Sequence, residues 1–373
     1  MLPCMPEGSI VIIGGGIAGV ATAWWLARAG ATVTLVEKES SLGLHSSGRN
    51  AAILRTAIAA WPTQELARET ARFLQEPPAG FSEVALVENT GLILVEDERG
   101  GRPAWAADLA ERDDARLLSA DELAALAPHF RSRGGPAWHL AREGRIDISA
   151  LLDGFARGTR AAGGRILSGN TVRELWTEGE RVCGVHLEGG ESIAADHTVI
   201  AAGGWAQSLG RAAGSEVQMR ATRRHLMVTD VDASIDASWP IVWDDGAAFY
   251  CRPESGGMLL CACDQTDANP DEEVTDAVVL ESIAAKTAKL LPQFADAGAA
   301  HFWSGVRTLT PDDRPIIGRD PEVAGLFWIA GLGGHGMSVS AGVGRLASEL
   351  LLGTCSEDER LAKALSPGRW AHA

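Results

Sequence analysis

The sequence predicts an α/β protein: a discontinuous Rossmann-like domain joined to a second, α+β domain whose sheet is mainly antiparallel. Three observations carry that expectation. Residues 9–37 read as an apolar strand, a glycine turn, a helix and a second apolar strand ending in an acid. Two more short apolar runs, 197–202 and 326–330, also end in glycine-rich turns. The stretches between these blocks read chiefly as strands of antiparallel type. The Rossmann-like domain is therefore expected over 1–80, 145–215 and 300–373, and the second domain over 81–144 and 216–299.

In the first block, Gly14-Gly15-Gly16-Ile17-Ala18-Gly19 follows the strand and opens a helix that runs to Gly30. Gly14 allows a tight turn, Gly16 lets backbone approach a pyrophosphate, and Gly19 lets the helix pack closely on the strand. The helix start, at Ile17 and Ala18, offers free N–H groups and a partial positive charge. Glu37, 23 residues beyond Gly14, is placed to accept hydrogen bonds from a ribose diol. Strand, helix and acid together predict the ADP half of a dinucleotide. The uncharged run 10–27 is nearly long enough to span a membrane and begins where a signal peptide would. Its glycines break the helix that either needs, and no basic region precedes it.

Beyond Lys38 the chain reads as loop. The small residues Ser46, Ser47, Gly48, Ala51 and Ala52 then read either as a helix start capped by a serine or as backbone against which a flat ring can lie. Residues 61–80 read as a helix ending at Glu76-Pro77-Pro78, and 84–87 and 91–95 as two paired strands. Residues 103–127 are amphipathic, with a helix starting near Ser119, and 135–148 read as loop and short strand. Asp147 or Ser149 caps a helix over 150–163. A strand at 165–168, a meander over 171–194 and the buried strand 197–202 follow. Strands are expected at 220–228, 247–252, 257–263, 301–307 and 326–330, with helices within 270–292 and to about Leu352.

With 373 residues, 46% of them hydrophobic, the chain can bury large cores. A formal net charge of −16 argues against a nucleic-acid or anionic-membrane surface. The 43 glycines suggest many tight loops. Six cysteines, at 4, 183, 251, 261, 263 and 355, include no C-x-x-C pair and no zinc spacing. Cys261 and Cys263 read as neighbours on one strand face, and the set as small buried thiols in a reducing compartment. No metal site is expected. With no other apolar span, a soluble cytoplasmic protein is.

Five stretches occur in order: the unit from Gly14 to Glu37; His45-Ser46-Ser47-Gly48-Arg49-Asn50-Ala51-Ala52; Ala201-Ala202-Gly203-Gly204-Trp205; Gly305-Val306-Arg307 running on to Pro315-Ile316-Ile317-Gly318; and Gly333-Gly334-His335-Gly336-Met337. Together they resemble the FAD-dependent D-amino-acid oxidase superfamily of glycine oxidase, sarcosine oxidase and the bacterial D-amino-acid dehydrogenases. His45 to Arg49 and Phe249-Tyr250 are most similar to its D-arginine dehydrogenase-like branch. The resemblance implies non-covalent FAD between the two domains. It implies oxidation of a small amino acid, D-enantiomers favoured, by hydride transfer from the α carbon to flavin N5. The imino acid then hydrolyses to a 2-keto acid and ammonia, and oxygen or a quinone takes the electrons.

Carried over residue by residue, Glu37 and Lys38 would meet the adenosine ribose and Val172 the adenine. Residues Asn50 to Ile53 would lie beside the flavin ring, with His45, Ser46, Ser47 and Arg49 before it. Ala202, Gly203, Trp205 and Gly305 would complete the cradle. The loop Gly333, Gly334, His335, Gly336, Met337 and Ser338 would offer N–H groups to the pyrimidine end of the flavin, where charge develops on reduction. Arg307 is the implied clamp on the substrate carboxylate, since a guanidinium can hold one by two parallel hydrogen bonds. Tyr250, the one tyrosine, would donate to the same group. Arg224 or its neighbour Arg223 would add charge, one of the two facing solvent. His335 would lie close to the flavin or give only its backbone N–H.

Read without the resemblance, Arg307 fits a structural ion pair better than a substrate clamp, and a half-buried strand position is the commoner one for a residue such as Tyr250. Ile53 and Ile58 stand where the arginine-using branch has polar or aromatic residues, and Gly91 about where it has an acid; both argue against a strongly basic substrate. Gly305 stands near where sarcosine oxidases attach flavin to cysteine, so that attachment is lost here. The loop of His45 is similar to one that carries a flavin-linked histidine in some related amine dehydrogenases, but non-covalent FAD is favoured over a link there. Hydride transfer needs a neutral amine, so activity is expected to rise with pH. Two other readings stay open: a flavoenzyme for N-methylated amino acids or 2-hydroxy acids, and a flavin-binding protein acting only through a partner. A pyridine-nucleotide disulfide reductase would need a second glycine unit and a close cysteine pair, and neither is present.

Overall fold

The apolar runs at 9–13, 32–36, 197–200 and 326–330 are buried along nearly their whole length, as strands covered on both faces must be. The structure, a computed structural model, describes residues 8–97, 104–354 and 359–370; Cys4 and Cys355 lie outside them. Among the described residues these runs form a six-stranded sheet in the order Ile316–Arg319, Leu326–Ala330, His197–Ile200, Ser9–Ile13, Thr32–Val36, Arg165–Leu167. All neighbours are parallel except Ile316–Arg319 and Leu326–Ala330. Side chains alternate between two cores. Ile10, Ile12, Val33 and Leu35 pack with the helices Ile17–Arg28, Ile148–Ala161 and Gly336–Leu352. Val11, Ile13 and Val36 pack with the meander Val172–Glu178, Arg181–Leu187, Ser192–Ala194.

A second, nine-stranded sheet is antiparallel except for one parallel pair, Leu92–Val95 with Ile241–Asp244. Its central run is Arg220–Thr229, Gly257–Cys261, Phe249–Glu254, Ile241–Asp244. The long strand Ala299–Leu309 joins it by pairing with Arg220–Thr229. The helix Ala277–Leu290 covers one face, packing on Val242, Phe249, Cys251 and Leu260. The other face carries Leu226, Tyr250, Leu259 and Cys261, and packs against Ala51 and Ile53 beside the first sheet. This face becomes one wall of the site.

Two local expectations fail. No helix starts after Ser47: the chain turns through 44–50, and Ile53–Leu54 is a strand paired with Gly144–Ile146. The reason is Asn50. Its Oδ1 accepts from Ala52 N at 2.6 Å and its Nδ2 donates to Ser47 O at 2.7 Å, a local alternative to helical bonding. Ala52 then takes φ +54°, which no helix continues. Residues 84–95 do not form a hairpin either. Val87–Glu88 pairs with Gly144–Ile146, whereas Leu92–Val95 enters the large sheet. The positive φ of Gly91, +86°, turns the chain from one sheet to the other. The strand Ile241–Asp244 was not foreseen. Cys263 lies past the end of its strand with φ +53°, so it does not alternate with Cys261.

Candidate active site

The glycine turn ends the central strand, and its geometry needs glycine. Gly14 has φ +111°, and a Cβ there would stand 2.5 Å from Ala201 O. The helix Ile17–Arg28 starts without a side-chain cap, so its first-turn amides have no partner within the helix. Ile17 N–H goes to Ser47 Oγ at 2.9 Å. Glu37, 8% exposed, is fixed by Gly15 N–H at 2.6 Å and Glu39 N–H at 2.8 Å, and faces the same space.

That space is a cavity of about 420 Å³ between the two sheets. Gly14, Gly16, Ile17, Ala18, Glu37, Lys38 and Val172 line its nucleotide-like end. His45, Ser46, Ser47, Asn50, Ala51, Ile53, Ala202, Gly203 and Trp205 line its middle. Tyr250, Arg307, Gly334, His335, Gly336, Met337 and Ser338 also line it. Gly19, Arg49, Ala52, Gly305, Gly333 and Arg224 are not on its wall. Gly19 packs on the turn at Gly14, and Gly305 on Arg49. The Arg49 guanidinium pairs with Glu273. His45 is engaged by Glu39 at 2.9 Å and lies edge-on to Trp205, with Lys38 Nζ 3.6 Å from the Trp205 ring centroid. The His45 hydrogen bond holds the Glu39 carboxyl below its ordinary range.

Register brings the charged end together. Trp243 pairs with Tyr250, Tyr250 with Cys261, Arg224 with Gly305 and Thr222 with Arg307. Directly paired residues share a sheet face, as do alternate residues along a strand. Arg224 and Arg307 therefore emerge on one face, beside the Tyr250 and Cys261 wall. Arg223 goes the other way, to Glu272 O at 2.8 Å. Tyr250 is 1% exposed and stacks on Trp243 with centroids 4.4 Å apart. Burial pushes its phenol well above the ordinary value, so it stays a neutral donor.

Among the described residues neither Arg224 nor Arg307 has a carboxylate within 4.0 Å. Arg224 Nε is buried without a partner, and Nη2 reaches only Gln265 Oε1 at 3.5 Å. Burial, then Arg224, pushes the Arg307 pKa down, though a guanidinium remains charged. Gly334, φ +89°, makes room for it: a Cβ there would stand 2.6 Å from Arg307 Cζ. His335 is brought down to about 3 by burial, then by Arg55, Arg307 and Arg224, and is neutral at ordinary pH.

Of the wall residues not foreseen, two matter most for chemistry. Arg55 lines the cavity with its Cζ 4.4 Å from the Trp243 centroid, and Trp243 lines it too. A trace of Arg55 was present in the sequence, since it is the lone charge in the apolar stretch 51–64. Trp243 left none. Among the described residues no group of acids, histidines and cysteines could hold a metal ion. No helix among them is long and apolar enough to cross a membrane.

With this geometry in hand, comparison with known proteins is informative. The sequence model of one family, DAO, FAD dependent oxidoreductase, matches residues 9–350. An uncharacterized oxidoreductase of Bacillus subtilis, YurR, is 26% identical over 370 residues, covering 94% of this chain and 96% of its own. A D-amino acid dehydrogenase of Cereibacter sphaeroides is 26% identical over 414 residues, covering 94% of this chain and 93% of its own. The solved structure of an L-proline dehydrogenase from P. horikoshii superposes with a TM-score of 0.87 at 21% identity, covering 99% of both chains. At that identity the likeness bears on the fold.

Proposed function

Since the chain belongs to the family of FAD-dependent oxidoreductases that matches residues 9–350, we propose that it oxidises a small α-amino acid, D-enantiomers favoured, at the α carbon. FAD is the cofactor of this family, and the cleft residues fit it. The turn that a Cβ at Gly14 would block, the uncapped helix start and the anchored Glu37 support a dinucleotide lying along the first sheet. When bound, FAD supplies a two-electron acceptor.

One observation carries the substrate reading: Arg307 lines the cavity, half-buried, with no carboxylate partner within 4.0 Å among the described residues. A charge drawn partly out of water is costly unless paired, so the site is built for an anion that arrives from outside. An α-carboxylate meets that need by two parallel hydrogen bonds from the guanidinium. Tyr250 donates a further hydrogen bond to it, and Arg224 adds charge from the same sheet face. The substrate's Cα–H is thereby held at a fixed angle above the cleft. His335 is neutral and adds no charge of its own. No side-chain base is needed once the amine is neutral. Neither His335, at about 3, nor Tyr250, above its ordinary value, titrates in the working range. The rate of flavin reduction therefore rises with pH as the substrate ammonium loses its proton. The imino acid leaves and hydrolyses to a 2-keto acid and ammonia.

The test is an anaerobic absorbance titration of the purified holoenzyme with D-amino acids, L-amino acids, N-methylated amino acids and 2-hydroxy acids. Bleaching by D-amino acids supports the proposal. Bleaching only by another class moves the reading to that donor. No bleaching by any class overturns the small-molecule reading in favour of a flavoprotein that works through a partner. Admitting air to the bleached enzyme separates oxygen from a quinone-type acceptor.

A further inference from the structure

The charge in the chamber exceeds what one carboxylate needs. Arg307 and Arg224 serve the first anion from the sheet face. Arg55 stands apart from them, reaching the cavity from the segment beside the first sheet. Its side chain is 10% exposed, and its Cζ sits 4.4 Å from the centroid of Trp243, which in turn stacks on Tyr250. The backbone fixes its direction: Arg55 N–H donates to Ser338 Oγ and Nε to Ala57 O, both at 3.0 Å. One Nη meets Asp245 at 3.5 Å, long for a charged contact, and that carboxylate is 29% exposed. Two other acids lie near the arginines: Asp264 is held by His225 at 2.7 Å, and Glu143, within reach of the Arg55 charge, is buried on Thr56 with its carboxyl raised to about 7 by burial. His335 is neutral.

We propose that the chamber takes amino acids with two carboxylates, of aspartate or glutamate type, the α-carboxylate on Arg307 and the side-chain carboxylate on Arg55. The proposal rests on the amino-acid reading above and names its substrate class. Arg55 is then the specificity-determining residue, and Trp243 the platform that keeps its guanidinium aimed into the cavity. A basic side chain would meet Arg55 head-on. An amide of the same shape would lose the charged hydrogen bond while the rest of the site stayed satisfied.

The experiment has a binding arm and a reduction arm, both on the holoenzyme. Succinate and glutarate are titrated against butyrate by the shift they cause in flavin absorbance. Aspartate and glutamate, in both enantiomers, are compared with asparagine and glutamine as anaerobic reductants. The expected result is that each dicarboxylate binds about tenfold or more tighter than butyrate. Each acid should reduce the flavin with a similarly higher kcat/KM than its amide. Arg55→Gln should collapse both ratios, and Arg55→Lys should restore part of them. Equal binding of mono- and dicarboxylates overturns the proposal, as does an amide that matches its acid. If Arg55→Gln does not fold, the wild-type ratios decide alone. The two readings fail differently. Reduction by many amino acids without acid preference sinks only the second carboxylate site. Tight dicarboxylate binding with no reduction by any amino acid sinks the proposed reaction and leaves the site.

Discussion

The two walls of the cleft are made in opposite ways. The nucleotide wall comes chiefly from one stretch, Gly14 to Lys38, joined by Val172, and works mainly through backbone: a turn, a helix start and a carboxylate tied to two amides. The opposite wall works through side chains. Trp243, Tyr250 and Arg307 line it, with Cys261 and Arg224 beside them on the same sheet face; the five come from five strands and meet only because of their registers. The difference teaches what each wall can tolerate. A backbone cradle accepts many side chains but few changes of conformation. A side-chain wall accepts new chemistry while the fold stays as it is.

Breaking the cradle should have the largest effect. Gly14→Ala forces a side chain onto a residue at φ +111°, within 2.5 Å of Ala201 O. Strain of that kind should weaken FAD binding on the order of tenfold to a hundredfold or abolish it. The ratio of flavin to protein absorbance measures this directly, and a fully yellow variant would refute the backbone argument. Breaking the facing wall should leave the colour intact. Arg307→Met removes the carboxylate partner but no part of the cradle, so kcat/KM should fall about a hundredfold or more with FAD content unchanged. Equal loss of FAD in both variants would mean the two walls are not separable.

The same contrast explains what could be read from the sequence. Gly14, Gly16 and Glu37 announce themselves because their spacing lies within one short stretch and each residue type has a backbone reason. Arg307 and Tyr250 were found through a resemblance of short runs, not from their own surroundings. That Arg224, rather than Arg223, shares the sheet face of Arg307 depends on which residue of Ala299–Leu309 it opposes, and pairing across some 80 residues leaves no local mark. Trp243 lay in a strand that was not foreseen, and Arg55 in a segment expected to be helical. The second gap traces to Asn50, whose side-chain bonding and the left-handed Ala52 that follows override the small-residue pattern that reads as a helix start.

Glu143 sharpens the comparison because it lies off the cavity wall, on Thr56 and within reach of the Arg55 charge. It is buried, accepts from Thr56 N–H at 3.1 Å and from Thr56 Oγ, and lies 3.8 Å from Arg112. Burial raises its carboxyl from 4.5 to about 7, against the pull of Thr56 and Arg112. The native state therefore holds a proton that the unfolded chain gives up above pH 4.5. The stability this confers is complete below that pH and lost as pH rises through about 7. At about 1.4 kcal/mol per unit, the loss relative to Glu143→Gln should be about 3 kcal/mol between pH 4.5 and 7.5. Denaturant midpoints of both proteins across that range measure it, and parallel curves would show that the Glu143 carboxyl is ionised in the fold.

The smallest expected effect concerns the wall's finest detail. Tyr250→Phe keeps the ring, its stacking on Trp243 and its burial, and removes one hydroxyl. If the hydroxyl donates to a substrate carboxylate already held by Arg307, the loss is one hydrogen bond to a charged group, about tenfold in kcat/KM. If the tyrosine serves only to fill the wall, the loss is near zero, because a phenylalanine fills it as well. The pH profile separates a further possibility. Burial keeps the Tyr250 phenol neutral above its ordinary value, so its removal should lower the whole profile without moving an alkaline limb. An alkaline limb that vanished in Tyr250→Phe would mean the phenol ionises in the working range and that Arg224 and Arg307 outweigh its burial. The wall would then respond to pH through its own side chains, something the backbone cradle opposite cannot do.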